Sequence, residues 1–150
     1  MQRTGRTGKG EAGSAIPLEI GDSVSFSKTV GESDVYLFAG ITGDFSPNHV
    51  NKEIMSKTLY KERIAHGVLS IGFASTTSTL MIEKAKATAV SVGYDRIRFI
   101  KPIFIGDTVT VTYTIAEIDE ENLKTRANIE VTNHRGELCT VAQHILKFLA

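Results

Sequence analysis

Gly67-Val-Leu-Ser-Ile-Gly-Phe-Ala-Ser-Thr-Thr-Ser-Thr-Leu-Met81 is the stretch on which the fold turns. Every residue in it is apolar or small, and no charge follows until Glu83. A helix without a charged face is a buried helix. Gly72, Ala74 and Ser75 are small enough to let other backbone pack close against it. Such a helix needs a sheet curved around it, and the flanking sequence has to supply that sheet.

Downstream the chain reads as strands. Val109, Val111, Tyr113 and Ile115 alternate with Thr108, Thr110, Thr112 and Thr114. Leu123, Thr125, Ala127, Ile129 and Val131 alternate with Lys124, Arg126, Asn128, Glu130 and Thr132. Both patterns have the period of two expected of antiparallel strands with one buried face. Asn133-His-Arg-Gly136 signals a turn before a last strand over about Leu138–Phe148. An earlier strand is expected over Ala87–Phe99, followed by Pro102 and a Gly106-Asp107 turn.

Upstream, Val24 and Phe26 alternate with Ser25 and Ser27, a short strand. Ser33 is predicted to cap a helix from about Asp34 to Thr42, with Val35, Phe38 and Ala39 on one side. Gly43 and Pro47 end it, and residues 43–63 read as loop and short helical turns. An irregular stretch of that length in a small domain is more often functional than spare. The expected class is α+β: one domain over residues 16–150, a central buried helix wrapped by a curved antiparallel β-sheet. The sheet's second face and its edges need cover, so a homodimer is expected.

Residues 1 to about 15, rich in Gly, Thr, Ser and basic residues, are expected to be a mobile tail. Gly8-Lys9-Gly10 is no phosphate loop, because Arg3 and Gly10 stand where that pattern needs Gly and Ser or Thr. A mitochondrial leader remains a second reading of Arg3, Arg6 and Lys9, implying the mitochondrial matrix in a eukaryote, although no amphipathic apolar face supports it. Lys plus Arg equal Asp plus Glu, at 17 each, so no net field draws nucleic acid or an anionic membrane. The single Cys139 cannot close an intrachain disulfide and reads as a buried strand thiol. No apolar run is long enough to span a bilayer, and the default expectation is a soluble, cytoplasmic protein.

The chemistry concentrates in Gly43-Asp44-Phe45-Ser46-Pro47-Asn48-His49. Across this Pro-containing turn, Asp44 and His49 can aim at one point and share proton transfer. The alternative is plain: an Asp after Gly often bonds nearby backbone, and a loop His often only packs. Next, Ile64-Ala65-His66-Gly67 leads into the buried helix, where free N–H groups and the helix dipole favour negative charge. Gly67 either opens that N-terminus to a developing oxyanion or merely permits a tight junction. His66 is either a further acid–base group or, the favoured choice, a structural residue whose ring bonds the loop. The four histidines are scattered and match no metal-ligand spacing, so neither metal nor cofactor is expected.

Tyr36-Leu-Phe-Ala-Gly-Ile-Thr-Gly-Asp44-Phe-Ser-Pro-Asn-His49, followed by Ile64-Ala-His-Gly-Val-Leu69, resembles the hydratase-2 signature of the MaoC-like dehydratases. Phe99-Ile-Lys-Pro-Ile-Phe-Ile-Gly-Asp107 resembles that family's strand and turn before the next strand, and the likeness runs from about Leu18 to the C-terminus. The resemblance implies a hot-dog fold and an (R)-specific enoyl-CoA hydratase, adding water to trans-2-enoyl thioesters. It implies that Asp44 and His49 activate the water, that the Gly67 N–H meets the thioester carbonyl, and that Ser75 supports Asp44. Phe45, Ser46, His66, Leu69 and Phe73 become candidate substrate-binding residues. Ser46 departs from the family's usual Asn and orders the loop with fewer hydrogen bonds. Lys101, Arg96 and Arg98 either contact a carrier phosphate or are solvated strand charges. The carrier is CoA or acyl-carrier protein. The alternatives are an acyl-carrier-protein-linked dehydratase, a hot-dog thioesterase and a non-catalytic acyl-CoA-binding module.

Overall fold

In the computed structural model the described residues are 15–150, so the tail expected over residues 1 to about 15 falls, apart from Ala15, outside them. Five strands form one antiparallel sheet in the order β1-β3-β4-β5-β2: β1 (Ser23–Thr29), β2 (Ala89–Phe99), β3 (Thr108–Asp119), β4 (Lys124–Asn133) and β5 (Leu138–Phe148). The alternation read from the sequence sets its faces. Val109, Val111, Tyr113 and Ile115 of β3 are buried, as are Thr125, Ala127, Ile129 and Val131 of β4. On the outer face, hydroxyls pair across β1 and β3: Ser23 with Thr114 (3.1 Å), Ser27 with Thr110 (2.8 Å) and Thr29 with Thr108 (2.7 Å). Such pairs are what a half-solvated sheet uses to fix register.

The decisive segment forms the long helix α4 (Gly67–Ala85), which lies against all five strands. It runs four residues past Met81, because Glu83 and Lys84 point to solvent while Ala85 is buried. Phe73, Ala74, Thr77, Met81 and Ala85 enter the core. Thr77 donates to the Ala74 carbonyl (2.6 Å) and Ser78 to that of Ser75 (2.7 Å), so their hydroxyls are buried satisfied. The expectation of burial all round needs correction. Val68, Gly72, Ser75 and Thr79 are exposed, one stripe at helical spacing. A sheet covers only one side of a helix, and among the described residues this stripe stays exposed.

α1 (Glu32–Thr42) is capped by Gly31, not by Ser33, which lies within its first turn. The Asp34 carboxylate takes the Gly31 N–H (2.8 Å), and an extended Gly31 then starts the helix earlier than expected. That bond, with Lys28 beside it, holds the Asp34 carboxyl below its ordinary range. Val35 and Ala39 are buried and Phe38 half-buried. Two short helices follow, α2 (Pro47–Val50) and α3 (Lys52–Ser56).

Between β2 and β3 a tight turn carries Gly106 at φ +98°. The buried Asp107 accepts from the Phe104 N–H (3.0 Å) and from both terminal nitrogens of Arg135 (3.1 and 3.2 Å). Arg135 also holds Glu137 (2.9 Å), whose other oxygen meets Lys101 at 2.6 Å. Lys101 foremost, with Arg135 and Asn133, brings the Glu137 carboxyl down to about 2. This chain of charges braces the far wall of the site described next.

Candidate active site

α1 ends where Gly43 takes a left-handed conformation (φ +84°) and donates to the Ala39 carbonyl (2.8 Å). That reversal sends Asp44 out of the helix. Its Oδ1 accepts from the Ser46 N–H (3.2 Å), so the loop is ordered through the Ser46 backbone. Pro47 then opens α2, whose single turn carries His49.

His49 Nδ1 lies 2.7 Å from the Ile64 carbonyl. A carbonyl only accepts, so Nδ1 bears the hydrogen and Nε2 is left as the acceptor, the tautomer a general base requires. His66, the N-cap of α4, is buried, and its Nε2 donates to the Asp44 carbonyl oxygen (2.9 Å). Its ring stacks on His49 (centroids 3.7 Å apart, 27° between planes) and meets Phe38 on the other side (4.7 Å). His66 Nδ1 is buried and has no hydrogen-bond partner among the described residues. Leaving such an acceptor unmet costs about 1–3 kcal/mol.

Asp44, His49 and His66 thus bring their polar atoms within 4.8 Å of one another, although the histidines look scattered in the sequence. A metal fits this trio poorly. Near-parallel stacked rings send their nitrogen lone pairs out side by side, and one ion cannot lie in both ring planes. A carboxylate and imidazoles this close have the chemistry to exchange protons.

A cavity of about 240 Å³ opens beside it, lined by His49 and Gly67 together with Tyr60, Phe99, Lys101 and Thr140 among others. Gly67 is the first residue of α4, and a first-turn N–H has no acceptor within its own helix. A Cβ on Gly67 would stand 2.9 Å from the Phe99 ring, so any larger residue there has to displace that ring. Thr140 Oγ1 pairs with Ser70 Oγ (2.9 Å), which donates to the Gly67 carbonyl (2.6 Å) and pins the first turn of the helix.

The remaining expected site residues are spread out. Phe45 is exposed, Leu69 packs half-buried against the core and Phe73 lies within it; none of the three lines the cavity. Ser75 stands on the exposed stripe of α4. Lys101 is in the cavity wall, whereas Arg96, left-handed at a β2 bulge (φ +52°), and Arg98 are on the surface away from it. Sequence reasoning missed Tyr60 and Thr140. For Thr140 there was a signal: a hydroxyl at an inward-facing strand position.

The MaoC like domain family matches residues 16–137. An (R)-specific enoyl-CoA hydratase of Rhodospirillum rubrum is 43% identical over 104 residues, 69% of this chain and 70% of its own. A 3-hydroxybutyryl-CoA dehydratase of Methylorubrum extorquens is 33% identical over 109 residues, 73% of this chain and 68% of its own. Among solved structures, an (R)-hydratase from A. caviae superposes with a TM-score of 0.77 at 26% identity, covering 88% of this chain and 98% of that one.

Proposed function

This chain belongs to the MaoC-like domain family, and from that membership we propose that it is an (R)-specific enoyl-CoA hydratase, a hydro-lyase with Asp44 and His49 as its acid–base pair. The observation that carries this reading is the convergence of the Asp44 carboxylate and the His49 imidazole beside a cavity that also contains Gly67.

The chemistry follows from those three groups. Water between Asp44 and His49 Nε2 loses a proton to the pair as its oxygen bonds to C3 of the enoyl thioester. The electron pair of the C2–C3 double bond moves towards the carbonyl, whose oxygen gains negative charge. The Gly67 N–H, at the positive end of α4, stabilises that charge. The proton then goes to C2, completing a 3-hydroxyacyl thioester with atoms and charge balanced. The reverse sequence is dehydration.

Crotonyl-CoA is the substrate of choice for the test, because the cavity is small beside common ligand pockets of about 300–1,000 Å³. Loss of enoyl-thioester absorbance without free thiol, giving the (R)-3-hydroxy product, is the expected result. Thiol release instead would make the protein a thioesterase and sink the hydratase reading.

Gly67→Ala probes the oxyanion role. Phe99 is half-exposed and can swing from the new methyl, so the fold should survive. The carbonyl's approach to the helix end should not, and kcat/KM is expected to fall about 10- to 100-fold. Steady-state kinetics beside a denaturation curve checks this; unchanged kinetics would remove Gly67 from the machinery.

A homodimer goes with this reading. β2 is an edge strand eleven residues long whose Val90, Val92 and Phe99 are about half exposed, and the bare stripe of α4 lies on the same molecule. An unpaired apolar edge of that length invites a second copy. Among the described residues no helix is long and apolar enough to cross a membrane.

A further inference from the structure

We infer that His66 is a positioning residue for the acid–base pair, setting Asp44 through the hydrogen bond from Nε2 to its carbonyl oxygen while its ring packs on His49. The inference rests on the hydratase reading and adds to it a group that does not touch the substrate.

His66 is 2% exposed, and its Nδ1 is an orphaned acceptor. A phenylalanine would fill the same slot between Phe38 and His49, stack on both and bury no unmet polar atom. What phenylalanine lacks is the Nε2 donor. The energetic penalty of an imidazole here is therefore tied to the bond with Asp44, not to packing.

That bond acts at a sensitive point. Asp44 follows the left-handed Gly43 and is itself exposed, so little packing around its side chain fixes its direction. Its backbone is held at both ends: its N–H meets Thr42 Oγ1 at 3.3 Å, and its carbonyl takes the His66 donor at 2.9 Å. The second tie is the shorter and the less exposed one. It joins the loop to the N-cap of α4, the residue immediately before Gly67. One imidazole thus fixes the spacing between the proton-transfer pair and the amide that meets the carbonyl oxygen. Displacements of about 1 Å in such a constellation can cost on the order of 100-fold in rate.

The test compares His66→Phe with His66→Gln, whose side-chain amide can replace the Nε2 donor while the ring is lost. His66→Phe is expected to lower kcat about 10- to 100-fold with KM and the denaturation midpoint near those of the parent. His66→Gln is expected to restore most of that loss. In an Asp44→Asn background His66→Phe should cost little more, because its effect runs through Asp44. Parent-like kcat in His66→Phe would overturn the proposal. So would equal impairment of both variants, additive loss in the double variant, or loss of the fold in both, each of which makes His66 a packing residue. A second readout is independent of turnover. The Ser46 amide, which donates to Asp44 Oδ1, should shift its NMR resonance in His66→Phe and return in His66→Gln. A parent protein that hydrates no enoyl thioester defeats the hydratase reading alone; the Ser46 resonance then decides the His66 proposal, and its failure to move would overturn it.

Discussion

Asp44→Asn is expected to lower the rate of crotonyl-CoA hydration about 100- to 10,000-fold while the protein stays folded. The carboxamide keeps the oxygen that accepts the Ser46 N–H, so the loop has no reason to rearrange. Asp44 is exposed, and substitutions at such positions usually change stability by no more than about 0.5 kcal/mol. What disappears is the proton acceptor, and one acid–base group contributes about that much rate. His49→Ala should cost turnover comparably. It also removes the Nδ1 bond to Ile64 and the stack on His66, so its denaturation midpoint should fall as well. The double variant should be little slower than the worse single one, because the two groups act as a unit. Near-parent rates in a folded Asp44→Asn protein would break the pair.

The second large effect is on stability and lies on β5. His144 is fully buried, with Nδ1 2.8 Å from the Tyr113 hydroxyl, Nε2 2.6 Å from Ser91 Oγ and the Tyr94 ring alongside. Burial pushes its pKa down to about 4 and raises that of Tyr113. The unfolded chain takes up a proton near pH 6.5, the folded one only near pH 4, so between them the unfolded state binds more protons. The stability is therefore fully present above about pH 6.5 and is lost as the pH falls towards 4. The expected loss is roughly 3 kcal/mol. Urea unfolding at pH 7, 5.5 and 4.5 measures it, with His144→Gln as reference. The variant should show a shallower decline over that window, whatever its stability at pH 7. Parallel slopes would assign the acid sensitivity to carboxylates instead.

Neither Tyr113 nor His144 announces this cluster in the sequence. Tyr113 reads as one more inward residue of β3, which it is, and its hydroxyl finds a partner only when β5 returns 31 residues later. Local alternation was legible because one face of the sheet meets the core and the other meets water. The layer architecture was legible because fifteen residues without charge had to be buried somewhere. The cap of α1 was not, since Ser33 and Asp34 offer rival oxygens one residue apart and only geometry chooses between them. In the site, the Asp44 and His49 pairing could be anticipated across a single Pro-containing turn. The His66 stack, the Phe99 ring over Gly67 and the Thr140 hydroxyl depend on how helix and strands dock, which no local spacing encodes.

The bare stripe of α4 has an energetic side of its own. Gly72 sits in mid-helix, and beyond its own helical turn no described residue comes within 4 Å of where a Cβ would stand. A glycine there costs an isolated helix about 1 kcal/mol relative to alanine. The single chain is thus less stable than its own scaffold permits, and the deficit falls on the face it leaves open. A screen that ranks substitutions by the melting temperature of the lone subunit would favour filling Gly72, and would be blind to whatever that smooth surface is kept for.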